Sequence, residues 1–302
     1  MKVFLVSPRG FCAGVVRAID IVNMALDAYG APIYIKHQIV HNQTVVEDLL
    51  QRGVKIVEDA ADIPPRSNVV FSAHGSAPRD YAVARELNLN VIDATCPLVT
   101  RVHNEAKKYK KMGKKIILIG HSGHQEVIGT SGYADMHLID ERREWNFPDW
   151  NEDEEIVVLT QTTLSVNDTA KLVEKLKEKY RNLIVRNDIC YATTNRQEAI
   201  LKAIPHISLM LVIGSPESSN CTRLKEIAET HGVEARLIRN ASELDSDWLT
   251  GRDAVGVTSG ASTPESDVQA VVKKINPAEL IDCGDGPENV VFKLPKIGGV
   301  AA

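Results

Sequence analysis

The sequence predicts an α/β protein of three similar domains, each with a mostly parallel four-stranded sheet. Short apolar runs alternate with amphipathic helical patterns along the chain, the signature of strand–helix–strand units. The alternation also repeats three times, each unit headed by a cysteine, namely Cys12, Cys96 and Cys190. With 302 residues, 44% hydrophobic and 25% charged, the chain has the length and composition for several packed cores.

The elements follow in order. "KVFLV" reads as a strand. "AGVVRAIDIVNMALDAYG" reads as a helix with Val15, Ile19, Val22, Leu26 and Tyr29 on one face and Gly30 at its end. "PIYI" is a strand leading to a helix that opens at Thr44, with Glu47 completing a capping box. With "KVFLV" and "PIYI", "VKIV" and "NVVF" are strands of the first unit. "NVI", "KIILIG", "MHLI" and "IVVL" serve the second, and "LIV", "LMLVIG", "ARLI" and "AVGV" the third.

Polar motifs stand at the ends of these strands in a fixed rhythm. Cys12 is followed by His41 and His74, Cys96 by His124 and Thr162, and Cys190 by Asn220 and Ser262. The first steps, Cys12–His41, Cys96–His124 and Cys190–Asn220, are 29, 28 and 30 residues. Between each second and third motif lies one plain strand, "VKIV", "MHLI" or "ARLI".

Composition and charge exclude several classes. Net charge is −5 with both signs interspersed, and no basic patch carries interleaved aromatics, so nucleic acid is not an expected partner. No apolar stretch reaches the ~20 residues that span a bilayer. "MKVFLVSPRG" has too short an apolar run for a secretory signal, and a cytoplasmic location is expected. Five cysteines, odd in number and without a C-x-x-C pair, argue against a disulfide framework, a zinc ribbon or a thioredoxin site.

In open α/β sheets ligands bind beyond the carboxyl ends of the strands, where all nine motifs lie. One cysteine alone is most often a packing residue. Three in equivalent places suit a soft metal site, either zinc or an iron–sulfur cluster. Zinc would need a fourth ligand such as His, whereas a cluster on three cysteines keeps one iron open to substrate. Pro97, a favoured first helical residue, sets the Cys96 sulfur near a helix N-terminus, which favours thiolate. Cys221 and Cys283 fall outside the pattern and are expected to be non-ligands. The histidines, with "SPESSN" and "GASTP" at helix starts, form a candidate anion cradle, although Ser218, Ser219 and Ser262 could equally be plain helix caps. Glu126 is the one carboxylate in the set and the natural proton donor.

The motifs "PRGFCAGVVRAI", "VHN", "FSAHG", "DATCPLVTRVH", "GHSGHQEVIGT", "TQTTLS", "DICYATTNRQEA", "SSNCTRL" and "SGASTP" together resemble the 4-hydroxy-3-methylbut-2-enyl diphosphate reductase (LytB/IspH) family, from residue 1 to about 270. The resemblance implies a trefoil of three α/β domains around a central [4Fe–4S] cluster held by Cys12, Cys96 and Cys190. It implies diphosphate binding by His41, His74, His124, Ser218, Ser219, Asn220 and Ser262, contact of Thr162 with the substrate hydroxyl, and proton supply through Glu126. The implied reaction is reductive dehydroxylation to isopentenyl and dimethylallyl diphosphate, the last step of the non-mevalonate pathway, with the substrate hydroxyl on the open iron. The implied partners are the allylic diphosphate and an electron donor such as ferredoxin or flavodoxin. The implied domains are 14–96, 97–190, and 1–13 with 191–277, leaving 278–302 as a tail. Gln125 departs from the family's frequent proline, and Cys221 places a further thiol beside the diphosphate motif. A hydrolyase that uses an open-iron cluster without external electrons, and a cluster-bearing redox sensor, are the competing functional classes.

Overall fold

A computed structural model describes residues 1–298. Its strands form three sheets, and every strand pair is parallel. In chain order the elements are β1 (Lys2–Ser7), α1 (Ala13–Tyr29), β2 (Ile33–Lys36), α2 (Gln43–Gln51), β3 (Val54–Val57), β4 (Asn68–Phe71), α3 (Pro78–Glu86), β5 (Asn90–Asp93), α4 (Pro97–Lys111), β6 (Lys115–Ile119), α5 (Gln125–Ser131), β7 (His137–Ile139) and β8 (Glu155–Thr160). They continue with α6 (Val166–Lys179), β9 (Asn182–Val185), α7 (Tyr191–Ala203), β10 (Leu209–Ile213), α8 (Ser219–Thr230), β11 (Glu234–Ile238), β12 (Ala254–Ser259), α9 (Glu265–Ile275) and β13 (Glu279–Gly284).

The sheet orders expose the repeat. They run β3-β2-β4-β5, β7-β6-β8-β9 and β11-β10-β12-β1-β13. In each, the strand after the second motif forms an edge, and the strand leading to a cysteine lies two places from the first strand of the unit. The third sheet has five strands rather than four. The segment expected to be a tail contributes β13, in register with β1 from Lys2↔Glu279 to Ser7↔Gly284. Its buried positions are sparse, so its apolar alternation is weak in the sequence.

Two compact units are distinguished. One comprises Met1–Val16, His41–Asp48 and Tyr191–Val291, and the other Arg17–Val40, Leu49–Cys190 and the described residues from Phe292. In the first unit, β10 is buried along its whole length, as a central parallel strand with both faces covered must be. Its alternate residues serve two cores. Leu209, Leu211 and Ile213 face Val255, Val257 and Val268, while Met210 and Val212 face Ile200, Leu224 and Cys221. In the second unit β6 is divided likewise, with Ile117 and Ile119 packing against Leu172 and Leu176 and Ile116 and Leu118 against Val102 and Val127.

Two local expectations change. Asn42, not Thr44, starts α2, its side chain accepting from the Val45 amide at 3.0 Å. Thr44 instead donates to Asp267, and Glu47 takes a hydrogen bond from Gln43. Along α1 the buried stripe is Val15, Ala18, Ile21, Val22 and Ala25, and Tyr29 is exposed. The face has shifted towards small residues that permit closer approach of the helix.

Candidate active site

The three pattern cysteines occupy the same local place in three domains. Each lies immediately before a helix, α1, α4 or α7. Each donates its backbone N–H to the carbonyl of the third polar motif of its own sheet: Cys12 to Ala261, Cys96 to Ala73 and Cys190 to Thr162, each at 3.0 Å. One recurring hydrogen bond thus ties every cysteine loop to the loop beside it. None of the three is in a disulfide, and all are half-buried. The Cys96 carbonyl accepts from the Thr100 amide at 2.9 Å and its hydroxyl at 3.2 Å, locking the first turn of α4.

Cys221 differs. It is 0% exposed, in the core against Gly214 and Gly260, where an added Cβ would lie 2.4 and 2.1 Å from its sulfur. Burial pushes its thiol pKa up, so it is a packing residue. Cys283 lies on β13, its thiol also raised by burial. The donor set of three accessible thiols at helix starts, with no disulfide among them, fits a soft metal centre.

The first unit gathers Cys12, His41, Ser218, Ser219, Asn220 and Ser262 at the carboxyl edge of its sheet. Ser218 caps α8, accepting from the Cys221 amide, and Ser219 follows it. Asn220 is buried; its side-chain oxygen accepts from the Ala261 amide at 3.2 Å and its nitrogen donates to Thr193 at 3.4 Å. Ser262 donates to the His41 carbonyl at 3.0 Å. The two serines of "SSN" therefore form the start of α8, and Asn220 stitches α7, α8 and the β12 loop together.

The second unit gathers His74, Cys96, His124, Glu126, Thr162 and Cys190. The His74 and His124 rings meet edge-on, with centroids 5.9 Å apart. His124 Nδ1 accepts from the Glu126 amide at 3.2 Å, capping α5, which places the ring proton on Nε2 in the neutral form. Glu126 is 3% exposed. The Thr162 amide donates to its Oε1 at 2.7 Å and the Thr162 hydroxyl to its Oε2 at 2.9 Å. Burial pushes the carboxyl up to about 7, against the lowering effect of these hydrogen bonds, and nearby Asp188 adds to the rise. A carboxyl half-protonated near neutrality is poised to give or take a proton.

Sequence reasoning missed three supporting residues. Asp188, in "NDIC", is buried and its carboxyl is raised by burial, with Arg101 at 3.3 Å opposing the rise. Gln161 accepts from the His121 amide at 2.9 Å and donates to Thr163 at 2.8 Å, fixing the "TQTT" loop. Arg196, 1% exposed, donates to the Gly10 carbonyl and pairs with Glu288, both at 2.9 Å, and so holds the Cys12 loop. Asp188, two residues before a pattern cysteine, had the one visible signal.

Repeated parallel α/β domains that present thiols and a buried carboxyl at strand carboxyl ends suit an α/β enzyme with a soft metal centre. The family model described as LytB protein matches residues 3–276. The chain is 45% identical over 307 residues to the 4-hydroxy-3-methylbut-2-enyl diphosphate reductase of Alcanivorax borkumensis, covering 98% of this chain and 99% of that one. It is 45% identical to the same-named protein of Histophilus somni, with 98% of each covered. The solved E-1-hydroxy-2-methyl-but-2-enyl-4-diphosphate reductase of Plasmodium falciparum superposes with a TM-score of 0.92 at 38% identity, covering 97% of this chain and 95% of that one. This chain belongs to the LytB protein family, and it is an oxidoreductase of that family's α/β fold. Membership implies an iron–sulfur centre.

Proposed function

We propose that this protein reduces 4-hydroxy-3-methylbut-2-enyl diphosphate to isopentenyl and dimethylallyl diphosphate. The balance is one allylic alcohol, two electrons and two protons in, and one hydrocarbon diphosphate and one water out. The observation that carries the reading is the buried Glu126–Thr162 pair, with its carboxyl pushed up to about 7, in a unit that also holds two of the three pattern cysteines. Cys12, Cys96 and Cys190 would hold a [4Fe–4S] cluster, which when bound supplies single electrons and a Lewis-acidic iron.

The chain's own groups do the rest. Glu126 holds a proton at neutral pH because its carboxylate form is poorly solvated in the interior. In this reading Thr162 Oγ, hydrogen-bonded to Glu126, accepts that proton and donates to the substrate hydroxyl, so that oxygen departs as water rather than hydroxide. His41, His74 and His124, with Ser218, Ser219, Asn220 and Ser262, cradle the diphosphate. A neutral His124 with its proton on Nε2 is a donor to phosphate oxygen, and the α8 N-terminus adds the positive end of its dipole. A ferredoxin or flavodoxin delivers the electrons.

Anaerobically reconstituted protein, given substrate and a low-potential reductant, should form both five-carbon diphosphates, and should form neither when the reductant is omitted. Turnover without reductant would instead identify a hydrolyase. Failure to turn over with a full iron complement would reject the reading.

A further inference from the structure

We propose that the seam between the two sheet domains of the second unit is a separate binding site for a small aryl phosphate. A cavity of about 380 Å³ opens there, within the size range of small-molecule sites. On one side stand α3 and the end of β5, with Tyr81, Arg85 and Asp93; on the other stand α4 and the turn after α5, with His103, Lys107 and Tyr133. None of the twelve candidate active-site residues lines it. The proposal therefore stands independently of the reductase reading.

The seam is held open by rigid packing. Gly75, at φ +82, lies so near His103 that an added Cβ would meet its ring at 2.5 Å. Gly132 approaches Ala77 and Pro78 in the same way, at 2.9 Å from each. Glycine backbones pressed against neighbouring side chains at the base make the opening above them a preformed cleft. Its walls are aromatic and fixed. Tyr81 donates to Asp93 at 2.6 Å and stands edge-on to Phe71. Tyr133 donates to the Ser76 carbonyl at 3.1 Å and lies 4.6 Å from the His103 ring, centroid to centroid. Clamped tyrosines offer flat apolar surface at little entropic cost.

The charges specify the head group. Arg85 and Lys107 are exposed, and neither pairs with a carboxylate among the described residues. Lys107 lies over the Tyr133 ring at 4.3 Å. Two unpaired cations at one mouth suit a phosphate dianion. Asp93 is the one carboxylate in the lining. Both its oxygens are engaged, by the Tyr81 hydroxyl and by the Thr95 amide at 2.9 Å, and its charge drives the anion towards the Arg85–Lys107 side. His103 completes the site. It is 4% exposed, its Nε2 has no hydrogen-bond partner, and burial lowers its pKa to about 4. It is thus a neutral, buried ring that backs Tyr133 at the floor of the cleft without placing a charge there.

Phenyl phosphate, titrated by calorimetry into the anaerobic cluster-loaded protein, should bind saturably at one site outside the diphosphate cradle. Inorganic phosphate should bind at least tenfold more weakly, because it lacks the ring. The doubly substituted Arg85→Glu/Lys107→Glu protein should lose at least tenfold in affinity while retaining wild-type circular dichroism. His41→Ala should leave phenyl phosphate binding unchanged. Equal binding of phosphate and phenyl phosphate, loss with His41→Ala but not with the rim variant, or no saturable binding would each overturn the proposal.

Discussion

Replacing Glu126 with Gln separates the proton from the shape. The Gln oxygen still accepts from the Thr162 amide, and the Thr162 hydroxyl can turn to accept from the new amide nitrogen. In the wild-type protein the carboxyl is raised from 4.5 to about 7. A carboxyl whose folded pKa exceeds its unfolded value stabilises the fold relative to its ionised form at low pH, and that advantage is lost as pH rises through the interval. At 1.36 kcal/mol per unit, the ionised folded state above pH 7 carries a cost of about 3 kcal/mol. Gln carries none. The stability of Glu126→Gln relative to wild type should therefore increase by roughly 2–3 kcal/mol between pH 5 and pH 8, whatever constant offset the altered hydrogen bonds introduce. Anaerobic urea unfolding of the cluster-loaded proteins, followed by tryptophan fluorescence at both pH values, measures it. Turnover should fall by about 10²–10⁴ with iron content unchanged, and wild-type turnover should decline as pH rises above about 7. A pH-independent stability difference together with near wild-type turnover would refute the reasoning on Glu126.

Cys96→Ser should lose the cluster or one of its irons, whereas Cys221→Ser should retain the full complement; iron and sulfide analysis with electron paramagnetic resonance distinguishes them. His41→Ala and His74→Ala should each weaken binding of the product diphosphates, by about tenfold for one lost charged hydrogen bond, and unchanged dissociation constants would remove both from the cradle. Gly75→Ala combines a positive φ with a Cβ 2.5 Å from the His103 ring, and should cost about 2–5 kcal/mol in unfolding free energy; a loss below about 1 kcal/mol would mean the seam gives way easily. Thr162→Val removes the hydroxyl that donates to Glu126 Oε2, so the Glu126 titration should move further upward, readable in the pH dependence of the unfolding free energy.

How much was legible follows from the range of each interaction. Strand type and repeat were readable because β6 and β10 are buried almost throughout, on both faces. Short unbroken apolar runs such as "KIILI" and "LMLVI" are what a covered parallel strand requires. The cysteines were readable because three loops of equal construction leave an equal spacing in the chain. The start of α2 was misplaced by two residues, since "HNQT" offers both Asn42 and Thr44 as caps, and it is Asp267, 223 positions away, that draws Thr44 elsewhere. β13 was missed because four of its six residues are exposed and its partner, β1, stands at the other end of the chain.

By itself, then, the chain determined which residues stand at the strand ends and which of its five cysteines share a repeated place. That information is local: a loop's length, a helix's first residue, an apolar run. Tertiary structure alone decided what those residues are. It sealed Cys221 among glycines while leaving Cys96 accessible, and engaged Asn220 with α7 and the β12 loop. It also buried Glu126 against Thr162, 36 residues away, raising an ordinary carboxylate into the range of physiological proton transfer. Burial and desolvation are properties of the packed whole, and no window of sequence contains them.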